Sequence, residues 1–205
     1  MERWKGGLAV RGGGVLMAEE EFNYWITTYT GKKFPVKQPA VFDMNLIDIA
    51  HGLSLACRFG GQIREFYSVA QHSVLVASLL PAKIAVYGLL HDASEAYLCD
   101  IPGPIKRLPE MEGYRELEKR YMKTIYIARG MREPNQEISR RVKKADALVL
   151  RDEGRYFGIL NREWDVYDME DVGVLSRCWS PKEAEIIFMR TYEDARETLT
   201  GVGTL

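Results

Sequence analysis

In the stretch Leu89, Leu90, His91, Asp92, Ala93, Ser94, Glu95 an imidazole and a carboxylate stand side by side at the end of an apolar run, and a second carboxylate follows one helical turn later. The apolar run belongs in a core, so its polar residues must meet a partner at the core's edge. Read as part of one buried helix over about residues 82–98, the segment puts Glu95 about 40° round from His91 and about 60° from Asp92. All three groups then project toward one side. An imidazole beside a carboxylate suits a divalent ion such as Mn, Fe, Co, Ni or Zn, and a nearby carboxyl can handle the proton of a coordinated water. An isolated His-Asp pair is more ordinarily a capped or salt-bridged helix pair, so the rest of the chain has to decide.

Helical periodicity dominates elsewhere. Residues 43–57 carry a broad apolar face (Leu46, Ile49, Ala50, Leu53), with Asn45 or Asp48 available as the cap. His51 falls in this helix, where a lone His is ordinarily a satisfied core or supporting group. Arg58, Phe59, Gly60 and Gly61 read as a left-handed cap and turn, and residues 62–67 as a short strand or ribbon. Ser68 with Gln71 forms a capping box that opens a helix through Leu80, with His72 in its first turn. Asp100, Ile101, Pro102, Gly103 and Pro104 make a rigid turn, with Lys106 beyond it. A polar helix over about residues 110–128 buries Leu117, Tyr121, Ile125 and Ala128. The helix after Pro134 runs to about Leu160 with Val142, Ala145, Leu148 and Val149 on its apolar side. Asp146 sits beside that stripe, and an acidic residue among core positions needs an ion partner or a cation to coordinate. It is therefore a candidate ligand. Ser180 and Glu183 form a second capping box for a final amphipathic helix to about Thr198.

These elements predict a compact all-α domain over residues 21–200 with at most a short β ribbon, preceded by a Gly-rich extension, residues 1–20, read as flexible. In 205 residues, 46% hydrophobic and 28% charged, one well-buried core is the default. A formal net charge of −1 argues against a general nucleic-acid or membrane-surface binder, while a small anionic substrate needs only a local cluster of cations. Three widely spaced cysteines, Cys57, Cys99 and Cys178, fit reduced thiols in a cytoplasmic protein better than a disulfide framework. No apolar run approaches the roughly 20 residues of a membrane span.

The order His72, His91–Asp92, Asp146 on separate helices resembles the HD-domain metal phosphohydrolases. Four segments sharpen the likeness: Ser68-Val69-Ala70-Gln71-His72-Ser73, Leu90-His91-Asp92-Ala93-Ser94-Glu95, Asp100-Ile101-Pro102-Gly103-Pro104-Ile105-Lys106 and Val142-Lys143-Lys144-Ala145-Asp146-Ala147-Leu148. They are similar to the signature segments of the YfbR-like 5′-deoxynucleotidases, a group that includes phage dATP triphosphohydrolases. The resemblance implies an HD-domain fold in which His72, His91, Asp92 and Asp146 hold one divalent ion (Mn, Co, Zn, Fe or Mg). It implies Glu95 as the acid/base or water-orienting carboxylate and Asp100 as acceptor for the sugar 3′-hydroxyl. Arg58 matches a phosphate-contacting Arg followed by an aromatic, here Phe59; Phe59 or an aromatic of the segment from Trp25 to Phe34 could stack on a base. Lys106 and Lys143 are phosphate candidates on position and charge, weighed against solvated lysines.

The expected reaction is attack of a metal-activated water on the α-phosphorus of a small-molecule nucleotide, releasing nucleoside. A 5′-deoxynucleotidase acting on monophosphates leads; a dATP triphosphohydrolase is the alternative, and a non-catalytic nucleotide-binding module ranks below both. Di-iron oxygenase and cyclic-dinucleotide chemistries need more histidines than His51, His72 and His91. The resemblance also implies a homo-oligomer, dimer or higher.

Overall fold

The computed structural model describes residues 24–201, so the expectation for residues 1–20 lies outside the described residues. The chain enters through an antiparallel ribbon of β1 (Trp25–Thr27) and β2 (Lys33–Pro35), with Ile26 opposite Phe34. The ribbon expected at residues 62–67 is absent. That segment is held by a single antiparallel bridge between Cys57 and Ser68, and the strands lie upstream of α1. Phe34 points inward and stacks on Tyr97 at 4.3 Å, whereas Tyr24, Trp25, Ile26 and Tyr29 beside it are exposed.

Helix α1 (Leu46–Leu55) is capped by Asn45, whose side chain accepts from the Ile47 N–H at 2.9 Å. Asp48 serves otherwise: its carboxylate accepts from the Thr30 N–H at 2.7 Å and the Thr30 hydroxyl at 3.0 Å, fastening the ribbon to α1. Helix α2 (Val69–Ser78) opens on Ser68, whose hydroxyl accepts from the Gln71 N–H at 3.1 Å. Gln71 does not complete the box. Its amide instead donates to the Arg177 carbonyl at 2.7 Å and accepts from the Trp179 N–H at 2.8 Å, pinning the segment before the last helix.

Helix α2 is buried on nearly every side, from Val69 through Ala77, because it packs against α1, α3 (Ala82–Leu89), α7 (Gln136–Tyr156) and α8 (Pro181–Gly201). A wholly enclosed helix carries few polar side chains, and each needs a partner. The helix expected over residues 82–98 is broken in two. After α3 the chain makes consecutive tight turns, with Ala93 N–H donating to the Leu90 carbonyl and Glu95 N–H to the Asp92 carbonyl, before the single turn α4 (Glu95–Leu98). A second short turn, α5 (Gly103–Lys106), opens after Pro102 with Pro104 in its first turn, and α6 (Glu112–Ala128) buries Tyr121 and Ile125 as expected. Helix α7 stops at Tyr156, ahead of the expected Leu160, because Gly158 turns the chain at φ 69°.

The main core gathers residues of α1, α2, α3, α6 and α8, and a smaller cluster of Tyr67, Leu75, Val76, Ala145, Val149, Phe157 and Leu175 joins α2 to α7. The architecture is all-α with one short ribbon. Among the described residues no helix is long and apolar enough to cross a membrane.

Candidate metal centre

Helix α2 carries His72 into the middle of the fold, where it is fully buried. The tight turns after α3 deliver His91 and Asp92, and α7 delivers Asp146. His72 Nε2 lies 3.4 Å from His91 Nε2 and 3.1 Å from Asp146 Oδ1, and His91 Nε2 lies 3.9 Å from that same oxygen. Asp92 flanks the group, its Oδ2 3.1 Å from His91 Nε2 and 3.8 Å from His72 Nε2. One ligand atom from each of His72, His91 and Asp146 falls within 4.8 Å of the others.

Hydrogen bonds decide which nitrogens face inward. His91 Nδ1 donates to the Gly88 carbonyl at 2.7 Å, a group that can only accept. His72 Nδ1 donates to Glu153 Oε1 at 2.6 Å. With both Nδ1 atoms acting as donors, neutral rings turn two Nε2 lone pairs toward each other and toward carboxylate oxygens. Acceptors facing one another repel unless positive charge, carried by protons or a metal ion, sits among them. Two imidazole nitrogens with carboxylate oxygens form a donor set suited to Mn, Fe, Co or Zn. The residues fit such an ion: His72, His91 and Asp146 could hold one.

The electrostatics agree in sign. Burial disfavours imidazolium at His91, yet Asp92 and Asp146 outweigh it and push its pKa up to about 9. Burial also works against ionised Asp92 and Asp146, but the two histidines, joined at Asp92 by Arg58, hold both carboxyls below their usual range. Both carboxyls of the cluster are thus held ionised, with the imidazoles and Arg58 as their positive partners.

Around it stand the other expected residues. Arg58 reaches Asp92 Oδ2 with Nη1 at 3.8 Å and donates Nη2 to Glu153 Oε2 at 3.0 Å, while its Nε is buried without a hydrogen-bond partner. The left-handed turn expected at the glycines begins one residue early. Phe59 itself sits at φ 57°, a conformation costly for a side chain with a Cβ, followed by Gly60 at 58° and Gly61 at 74°. The Phe59 ring is held between Trp164, stacked at 6.3 Å, and the edge of Phe157 at 6.1 Å.

Glu95 is buried. Burial, then Asp92 and Asp100, raise its pKa to about 9 against the pull of Lys106, and Oε2 is buried with no hydrogen-bond partner. Lys106 takes a different place from the one expected. Its ammonium donates to Glu95 Oε1 at 2.7 Å and to Glu118 Oε1 at 2.8 Å, because α6 brings Glu118 against α5. Asp100 follows Cys99, another non-glycine residue in the left-handed region at φ 66°, whose carbonyl accepts from the Tyr114 hydroxyl at 2.8 Å. Burial raises the Asp100 carboxyl despite the counter-pull of Arg58. Lys143 is exposed and lines a cavity of about 230 Å³ with Tyr87, His91, Tyr126, Ser139 and Asp146. His51 stacks on Tyr29 at 3.6 Å, bonds Glu185 at 3.2 Å, and is not a member of the cluster.

Sequence reading missed two residues that touch this site. Glu153 lies seven residues after Asp146, two helical turns along one face, so periodicity carried the signal. Glu118 had none, since only the packing of α5 on α6 brings it to Lys106.

No family model matches the chain. It is 40% identical over 135 residues to the uncharacterized protein YfdR of Escherichia coli (strain K12), covering 66% of this chain and 73% of that protein. It is 29% identical over 193 residues to an uncharacterized protein of Rhodobacter capsulatus, covering 86% of this chain and 98% of that one. The extent and identity of the first match show the family, and the chain belongs with YfdR.

Proposed function

We propose that this chain is a divalent-metal-dependent phosphohydrolase of the HD-domain kind that removes the 5′ phosphate of deoxynucleoside monophosphates. One observation carries the reading: ligand atoms of His72, His91 and Asp146 converge within 4.8 Å; Asp92, outside that trio but with Oδ2 3.1 Å from His91 Nε2, is taken as the fourth ligand on the strength of the resemblance. A divalent ion bound there supplies positive charge that acidifies a water and draws charge from the phosphoryl group.

The protein's own groups do the rest. Glu95 presents its unpartnered Oε2 as acceptor for the proton of the attacking water and returns that proton to the 5′-oxygen as the P–O bond breaks, while Lys106 fixes the other carboxylate oxygen. Arg58, its guanidinium held by Glu153, sets a fixed positive charge against the remaining phosphoryl oxygens. Asp100 accepts from the sugar 3′-hydroxyl and orients the leaving nucleoside. Phe59, held rigid between two aromatic rings, borders the base.

One feature favours triphosphate substrates as a second reading. The cavity of about 230 Å³ beside His91 and Asp146, with Lys143 on its wall, offers room and a cation beyond the α-phosphate. Product analysis separates the two. The Mn- or Co-loaded protein is incubated with dAMP, dATP, and their guanine, cytosine and ribose counterparts. Phosphate plus deoxynucleoside from monophosphates supports the nucleotidase; triphosphate plus deoxyadenosine from dATP supports the second reading. His91→Ala and Asp92→Ala should abolish turnover and bound metal together. No turnover of any substrate would leave a nucleotide-binding module.

A further inference from the structure

Glu153 is wholly buried, and its carboxylate is shared among three donors. Oε1 accepts from His72 Nδ1 at 2.6 Å and from the Tyr67 hydroxyl at 2.8 Å, and Oε2 accepts from Arg58 Nη2 at 3.0 Å. Helix α7 carries both Asp146 and Glu153, seven residues apart and so on one face. The His72 ring lies between them, with Nε2 toward Asp146 and Nδ1 toward Glu153.

We propose that Glu153 is the positioning residue of the metal centre: it fixes the proton of His72 on Nδ1, so that Nε2 is the ligating atom, and it holds Arg58 in register with that ligand. The inference rests on the metal-centre reading above. A carboxylate can only accept from a ring nitrogen, so the Glu153–His72 contact selects one tautomer and one ring orientation. Its second oxygen sets the guanidinium from the opposite edge. The metal ligand and the phosphate-facing cation are thereby mounted on a single carboxylate, and one rigid helix aligns that carboxylate with Asp146. A purely structural Arg58–Glu153 ion pair would not need the Nδ1 contact, at 2.6 Å the shortest of the three.

Glu153→Gln tests the assignment. The carboxamide keeps the volume but offers one acceptor oxygen and one donor nitrogen in place of two acceptors. It cannot accept from both His72 and Arg58, and turned with its nitrogen toward His72 it moves the ring proton onto Nε2. Zn²⁺ affinity, measured by titration calorimetry on the metal-free protein, should fall 10- to 100-fold. Thermal melting of the metal-free variant controls for folding. Equal Zn²⁺ affinity in wild type and variant overturns the proposal and leaves the metal centre standing. Wild type that binds no Zn²⁺ removes the metal-centre reading and this proposal with it. A second measurement needs no variant: long-range ¹H–¹⁵N spectra of the Zn²⁺-loaded wild type should show His72 bound through Nε2 with a slowly exchanging proton on Nδ1. Ligation through Nδ1 overturns the proposal even if Glu153→Gln does not fold.

Discussion

Lys106 Nζ lies 2.7 Å from Glu95 Oε1 and is held on its other side by Glu118 Oε1 at 2.8 Å, so the cation nearest the metal centre on α5 is committed to a carboxylate of the protein. Its charge opposes the rise in the Glu95 pKa that burial, Asp92 and Asp100 produce.

Lys106→Met should therefore act through Glu95. If ionised Glu95 takes up the water's proton, kcat climbs as pH rises through its pKa, which a bound divalent ion lowers from the metal-free value of about 9. Removing the Lys106 charge raises that pKa. The acidic limb of the kcat profile should move up by about one pH unit, roughly a tenfold loss of kcat at a pH on that limb, with KM little changed. An unmoved limb with a raised KM would make Lys106 a phosphate contact after all.

The same carboxyl leaves a mark on stability without metal. Its folded pKa, about 9, exceeds the ordinary 4.5, so between those values the folded state binds more protons than the unfolded one. Stability contributed by this group is present below about pH 4.5 and is lost as pH rises toward about 9, with a slope of at most about 1.4 kcal/mol per pH unit. Asp92, Asp146 and Glu153, all held low, act in the opposite sense and only at acid pH. Glu95→Gln should be more stable than wild type by a margin that grows from pH 5 to pH 9 in denaturant titrations of the metal-free protein. Parallel stability curves would place the Glu95 pKa in the ordinary carboxylate range.

Much of this arrangement was legible in the sequence because short-range rules govern it. Asn45 and Ser68 cap their helices through bonds that span two or three residues, and Asp146 beside the apolar stripe of α7 follows from helical spacing, whereas His72 was singled out by the family resemblance. What was not legible is one local break in a helix and several contacts distant in sequence. The break at residues 90–94 replaces helical bonds with tight turns, and His91 Nδ1 bonds back to the Gly88 carbonyl there, so the projected angles between His91 and Glu95 do not apply. Gln71 has the spacing of a capping-box partner yet serves residues more than a hundred positions away. Lys106 was readable as a cation near the site, but its partner Glu118 enters only once α6 packs against it.

Asp100 is the group on which sugar selectivity should turn. Cys99, strained at φ 66° and anchored through its carbonyl to Tyr114, fixes the backbone just before it. If Asp100 accepts from the 3′-hydroxyl and sets the sugar against a wall that a 2′-hydroxyl would crowd, Asp100→Ala loosens that fit. The ratio of kcat/KM for dAMP to that for AMP should drop about tenfold or more, equivalent to about 1.4 kcal/mol. A preserved ratio would remove Asp100 from the sugar site.

Gly52 makes the last prediction, because α1 reaches α4 through it. A Cβ there would lie 2.8 Å from the Ala96 carbonyl oxygen, 3.0 Å from Ala96 Cβ and 3.1 Å from Ala96 Cα. Two of those atoms are backbone and cannot rotate away, so Gly52→Ala must push α4 off α1. Overpacking of this kind costs about 1–3 kcal/mol, offset in part by the roughly 1 kcal/mol that Ala gains over Gly inside a helix. The consequence for activity is more specific than the loss of stability. Ala96 follows Glu95 directly on α4, whereas His72 and Asp146 ride on α2 and α7 and His91 precedes α4. Displacing α4 should misplace the Glu95 carboxylate while leaving the ligand cluster intact. The variant should show kcat down at least about tenfold, the effect of misplacing a general base, with Zn²⁺ affinity within about threefold of wild type. Full kcat in a destabilised Gly52→Ala protein would show that the position of α4 does not govern turnover and that Glu95 is not the group receiving the proton.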